Sequence, residues 1–252
     1  MTTEYAGQGD ADRTLELLWG LAEPPSRGPK PRLSVPAIVR AAIEIADAEG
    51  LAQLSMRKVA DRLGVGATSL YTYVPGKHEL IDVMLDTVIG EVPRPDGKGD
   101  WRTRLARMAR DDWALYTRHP WILHIAGHRP VMGPNTLAAA GSALGILAGL
   151  GLPEDEVITM IDFVDGYVRG MARDAADAAQ AEQRTGQTDE QWWASQIPLW
   201  HKHFDVTARP DLPDPARVAA VAGAHERKFE FGLQRILDGI AGYLAERGLT
   251  SS

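Results

Sequence analysis

The chain contains no cysteine, which excludes disulfides, thiolate metal ligands and a cysteine nucleophile. No apolar run approaches the roughly 20 residues needed to span a bilayer. The N-terminus is acidic and lacks the basic-then-apolar order of a secretory leader, so a cytoplasmic protein without a membrane partner is expected. Period-two alternation long enough for a strand is missing, and β-branched runs are rare. Walker-type phosphate loop, GxSxG elbow, HExxH pair and dinucleotide fingerprint are all absent. No catalytic constellation is expected, and the enzyme alternative rests on nothing but scattered His and acids.

What remains is a chain of 252 residues, 44% hydrophobic and 24% charged, long enough to bury a sizeable core. Its net charge of −7 is unevenly spread. Residues 26–80 carry eight Lys/Arg against five acids, whereas residues 1–25 carry one Arg against five acids. A basic segment on an acidic body suits a nucleic-acid-reading head joined to a body with another task.

Helical spacing dominates. Residues 1–11 read as disordered and Thr14 to Leu21 as two helical turns, before Pro24, Pro25, Gly28, Pro29 and Pro31 break the pattern. Arg27, Lys30 and Arg32 make that break basic, either a solvated linker or an arm that touches DNA. Ser34 then caps a helix carrying Ile38, Ala41, Ala42, Ile45 and Ala48, which Gly50 ends. Ser55 caps a second, short helix with Val59, Ala60 and Leu63 inward. Gly64-Val65-Gly66 turns into a third over Ala67–Tyr73. Pro75-Gly76 breaks it, and a fourth helix follows from Lys77 through Leu80, Val83, Met84 and Val88. Beyond Pro93–Gly99, helices are expected over 101–118, 120–128, 134–150, 154–182, 189–205 and 214–247.

Two short helices joined by a glycine turn fit a helix-turn-helix, whose second helix meets base edges in the major groove. Leu70 anchors that helix, while Thr68, Ser69, Tyr71, Thr72 and Tyr73 are free to reach out. Hydroxyls bond base edges or phosphates, and threonine methyls meet thymine methyls. Because no Arg or Asn lies within the helix, specificity is expected to lean on shape, water and the arm. Lys77 and His78 at the next helix start, and Arg57 and Lys58 at the start of the helix before, are expected to hold phosphates.

The stretch Leu51–Leu80, LAQLSMRKVADRLGVGATSLYTYVPGKHEL, resembles the DNA-binding domain of the tetracycline repressor family. Gly50-Leu51, Ser55-Met56-Arg57, Val59-Ala60, Leu63-Gly64-Val65, Leu70-Tyr71, Tyr73, Lys77 and Leu80 carry the match. Val74 stands where many members have Phe. The resemblance implies an all-α protein: an N-terminal extension and basic arm over 1–33, a three-helix DNA-binding domain over 34–80, and a larger helical ligand-binding and dimerisation domain over 81–248. It implies a regulator, most simply a repressor, that binds a pseudo-palindromic double-stranded operator as a homodimer and answers to a small molecule. A regulator without an effector, and an activator, remain alternatives.

The stretch Phe229–Ile240, FEFGLQRILDGI, is similar to the final dimerising helix of that family. Phe229, Leu233, Ile236, Leu237 and Ile240 make its apolar stripe, and Val164 and Val168 belong to the helix expected to pair with it, against the plainer reading of an ordinary core-facing helix. Six of the seven tryptophans lie between residues 101 and 200. Trp113, Trp121, His124, His128, Met132, Phe163, Tyr167 and Trp193 are read together as an aromatic effector pocket, against the plainer reading of each as core. The effector is expected to be small and apolar or aromatic. Tetracycline is not implied, because Val92-Pro93 stands where the drug-contacting His of the tetracycline repressor is expected. No cofactor is expected. His124 and His128 share a helix face, but their offset from the family's metal-binding pattern gives no support to a metal.

Overall fold

The computed structural model of the chain describes residues 4–21, 33–94, 97–126, 130–204 and 214–249. The sequence readings on Arg27, Lys30, Arg32 and His128 lie outside the described residues. The chain falls into two compact units, residues 1–162 and 163–250.

In the first unit, α1 (Ala11–Leu18) is capped by Asp10, which accepts from the Asp12 and Arg13 N–H groups. Next come α2 (Val35–Glu49), α3 (Met56–Leu63), α4 (Ala67–Leu70) and α5 (Lys77–Ile89). The caps read from sequence are present. Ser34 accepts from the Ala37 N–H, Ser55 accepts from the Lys58 N–H, and Gly64 ends α3 in the left-handed region at φ 68°. Ile38, Ala42 and Ile45 of α2, Val59 of α3, Leu70 of α4, Val74, and Leu80 and Met84 of α5 are sealed from solvent and form one core. Helix α6 (Trp101–Arg118) begins at an Asp100 cap, and α7 (Pro134–Leu147) packs against both α5 and α6.

Helix α8 (Glu154–Thr185) runs across the division between the units. In the second unit, α9 (Asp189–His203) opens on a Thr188/Gln191 capping box and packs on α10 (Pro215–Ala222). Helix α11 (His225–Glu246) follows. Among the described residues no helix is long and apolar enough to cross a membrane.

Three expectations are corrected. Residues 4–10 are ordered: Glu4–Tyr5 (β1) pair in parallel with Ile125–Ala126 (β2), and the first helix begins at Ala11 and ends at Leu18. The expected helix over 120–128 is instead a 3-10 turn, Pro120–His124, leading into β2. Pro120 supplies no N–H, and the backbone at 125–126 bonds a distant strand. The expected helix over 214–247 is two. Gly223 closes α10, where Lys228 Nζ donates to the Ala222 carbonyl at 2.8 Å. The two-residue pairing leaves the protein all-α, as expected.

Candidate DNA interface and the helices behind it

Helices α3 and α4 pack together through a turn in which the Val65 N–H donates to the Ala60 carbonyl at 3.0 Å. That turn needs the left-handed conformation at Gly64, which an L side chain rarely adopts. Helix α4 is one turn long, and Leu70, fully buried, holds it down. Around that anchor Thr68, Ser69 and Thr72 are exposed, Tyr71 is half exposed, and Tyr73 is half-buried. The structure thus gathers the expected base-reading residues on and just after one short helix beyond a left-handed turn.

The expected phosphate contacts differ in their freedom. Arg57 and His78 are exposed, and Lys77 is half-buried at the first position of α5. Lys58 is ion-paired with Glu49 of α2, so a phosphate must compete with that carboxylate. Arg62 pairs likewise with Glu44 at 3.3 Å. Both pairs are exposed and contribute little stability.

Behind the head lies a network that the sequence did not announce. Asp47 of α2 accepts at one oxygen from both His119 Nδ1 and Trp121 Nε1, each at 2.7 Å. The other ring nitrogen of His119 faces Glu91 at 3.2 Å, and Arg118 donates to the same Glu91 oxygen at 3.1 Å. His119 is 4% exposed and Trp121 1%. Trp121, read as a pocket candidate, is therefore a buried indole whose N–H is committed to the DNA-binding head.

Helix α5 carries three inward carboxylates, Glu79, Asp82 and Asp86. Asp86 accepts from the Asn135 and Thr136 backbone N–H groups and from both side chains, at 2.8–3.4 Å. It is a cap for α7 supplied by another helix. Asp82 accepts from the Gly7 N–H at 3.1 and 3.3 Å. Burial pushes its carboxyl above the ordinary range. The Gly7 N–H opposes the rise, Glu79 adds to it, and His78 opposes it. The acids at positions 79, 82 and 86 are not among the residues singled out from the sequence. The available signal was that their face of α5 adjoins the apolar Leu80–Met84 stripe without a gap.

The remaining pocket candidates fall in both units. In the first, Trp113 and His124 are half-buried, and Met132 is 51% exposed with its carbonyl accepting from Trp19 Nε1. In the second, Tyr167 stacks on Phe229 with ring centres 6.0 Å apart and donates to the Phe229 carbonyl at 2.9 Å. Burial raises the Tyr167 hydroxyl above its usual range. Trp193 meets Trp192 edge-on at 5.1 Å, and Phe163 is 59% exposed.

The apolar stripe read as dimer-facing is covered within a single chain. Val164, Val168, Phe229, Leu233, Leu237 and Ile240 are all buried, and Ile236 is half-buried. Among the large apolar side chains left open on the same helices are Ile158 and Phe163 of α8 and Phe231 of α11.

Sequence comparison adds to this geometry. The family model described as bacterial regulatory proteins, tetR family, matches residues 38–84, and that of the tetracyclin repressor-like C-terminal domain matches residues 92–244. The chain is 47% identical over 249 residues to the HTH-type transcriptional repressor DrrR1 of Streptomyces coeruleorubidus, covering 98% of this chain and 91% of that one. An HTH-type transcriptional regulator of Saccharopolyspora erythraea is 36% identical, over 82% of this chain and 92% of that one. Among solved structures, Streptomyces coelicolor ActR in complex with actinorhodin superposes with a TM-score of 0.67 at 30% identity, over 83% of this chain and 96% of that one.

Proposed function

We propose, from the premise that the chain belongs to the tetR family of bacterial regulatory proteins, that it is a repressor which binds a two-fold operator as a homodimer and leaves it when a small organic effector binds. The observation that carries the DNA reading is the exposed Thr68, Ser69, Tyr71 and Thr72 surface, held on a helix pinned by Leu70 and set beyond the Gly64 turn. The DrrR1 relative's name supports repression as the outcome.

Two heads must stand about 34–36 Å apart to enter successive major grooves on one face of DNA, which calls for a dimer. Phe163 and Phe231 are exposed apolar side chains on α8 and α11 that such a dimer can cover. Beside them, a Cβ built at Gly166 or Gly170 of α8, or at Gly239 or Gly242 of α11, meets nothing within 4 Å. A second copy seated there brings helix backbones close and covers both phenylalanines. The effector reading rests on the aromatic content of the body and on ActR, which is described with actinorhodin bound. An effector that favours the DNA-free state by some factor is in turn weakened by operator through the same factor.

The test is selection of bound duplexes from a random library, followed by the salt dependence of binding to the enriched sequences. Enrichment of a two-fold sequence, with an affinity that falls steeply with salt, supports the reading. Enrichment of only asymmetric sequences, or of none, overturns it.

A further inference from the structure

Residues 4–21 are built into the first unit. The β1 residues pair with β2, and Ala6 is buried. The Gly7 N–H donates to both oxygens of Asp82, and the Asp10 N–H donates to Glu79 Oε1 at 3.0 Å. Helix α1 then lies against α5, and Trp19 Nε1 donates to the Met132 carbonyl at 3.0 Å. The segment therefore crosses α5 with one end tied at residues 125–126 and the other at residue 132.

The fit is close on both sides of Glu79, which is 7% exposed. A Cβ at Gly76 would stand 2.8 Å from Glu79 Oε2, and a Cβ at Gly9 would overlap Oε1. The carboxylate sits in a slot between two glycines, one from the segment and one from the start of α5. The other end of α5 is fixed separately, by Asp86 on α7.

Six residues separate the end of α4 from the start of α5, so the N-terminal end of α5 moves with the DNA-reading surface. Its 13 residues make a rod of about 20 Å at 1.5 Å per residue. A tilt of about 10° displaces one end by about 3.4 Å, which is the rise of one base pair. A latch that stops such a tilt selects operators to the base pair.

We propose that residues 4–21 are a positioning strap whose latch on Glu79 and Asp82 fixes α5, and thereby fixes the half-site spacing that the dimer accepts. This rests on the dimeric operator reading. Gly7, Gly9, Glu79 and Asp82 are positioning residues that act through α5 without touching DNA.

The test uses the full chain and the duplex enriched by the wild type, with the centre shortened or lengthened by one base pair and the half-sites unchanged. Gly9→Val, which drives the Glu79 carboxylate from its slot, and Glu79→Ala, which removes it, should each lower the preference for native spacing by about fivefold or more. Glu79→Gln keeps an oxygen that accepts from the Asp10 N–H and should keep the preference. Discrimination equal to wild type in the first two variants overturns the proposal. So does weakening by one factor across all three duplexes, which is what a loss of folded protein produces. Amide exchange without DNA gives a second readout: α5 should exchange faster in Gly9→Val, and unchanged protection there also overturns the latch. A wild type that enriches no two-fold duplex overturns the operator reading and the spacing claim with it, and exchange in α5 then judges the latch alone.

Discussion

Asp86→Ala isolates the link between α5 and α7. Helix α7 begins at Gly133-Pro134, and Gly133 offers no side chain to cap it. Pro134 has no N–H, so the unpaired donors of the first turn are those of Asn135 and Thr136, and both end on Asp86. Loss of an N-cap costs about 0.5–2 kcal/mol. A buried donor left unsatisfied costs about 1–3 kcal/mol. The Asn135 and Thr136 side chains can turn away, but the two backbone groups cannot. These effects overlap, and relief of a buried charge offsets part of them, which places the loss at about 2–4 kcal/mol. For a protein of this size that is a fall in Tm of about 5–15 °C. Calorimetry at one protein concentration reads it, and amide exchange in the first turn of α7 localises it. Asp86→Asn keeps one accepting oxygen and should fall between wild type and Ala. A fall below about 2 °C for Asp86→Ala, with α7 protection intact, would refute the assignment of Asp86 as the cap.

Other outcomes follow from single residues. Lys77→Ala should weaken binding to all duplexes alike and reduce the salt slope by about one, read by titration at several salt concentrations; altered base preference would place Lys77 against a base edge instead. Phe231→Glu puts a charge on the face proposed for the second copy and should give monomers in sedimentation, with an intact dimer counting against that face. Leu70→Ala empties a fully buried site and should cost about 2–5 kcal/mol in chemical denaturation. Asp82, whose carboxyl is raised by burial, binds its proton more readily folded than unfolded. Stability relative to Asp82→Asn should therefore increase as pH falls through the raised value, levelling off near the ordinary 3.8. A difference that is flat with pH, or that shrinks on acidification, contradicts the direction.

The head was legible because its signals are local. Ser34 and Ser55 each cap a helix through an N–H three residues on, and Gly64 sets its own dihedral angles, so short windows of sequence contain both cause and effect. Leu70 stood out as the apolar residue in a hydroxyl-rich turn. Signals failed where the deciding partner was remote. Residues 120–128 have helical spacing, yet β2 is fixed by backbone partners some 120 positions earlier. The Ala-rich run before Gly223 favours helix and gave no warning of the break, which is completed by Lys228 taking a terminal carbonyl. On α11 the apolar period names a face, and periodicity alone does not say what covers it. Phe229, Leu233 and Leu237 are covered by their own chain, and the open aromatic is Phe231, off that stripe.

The carboxylates of α5 carry the same lesson into mechanism. Burying three acids along one helix is costly unless each finds donors. The donors come from elements far away in sequence: Gly7 and Asp10 from the N-terminal strap, Asn135 and Thr136 from α7. Charged hydrogen bonds of this kind are directional and short-ranged. A small shift of α5 breaks several of them together instead of stretching all of them a little. Asp47, shared between His119 and Trp121, ties α2 to the residues after α6 in the same manner. Packing of this sort has discrete alternatives, so an effector that displaces α5 must supply enough differential affinity to exchange one bonded arrangement for another. On the proposed function, the polar ties around α5 set the gap between a bound and a released arrangement, and the strap contributes to that gap.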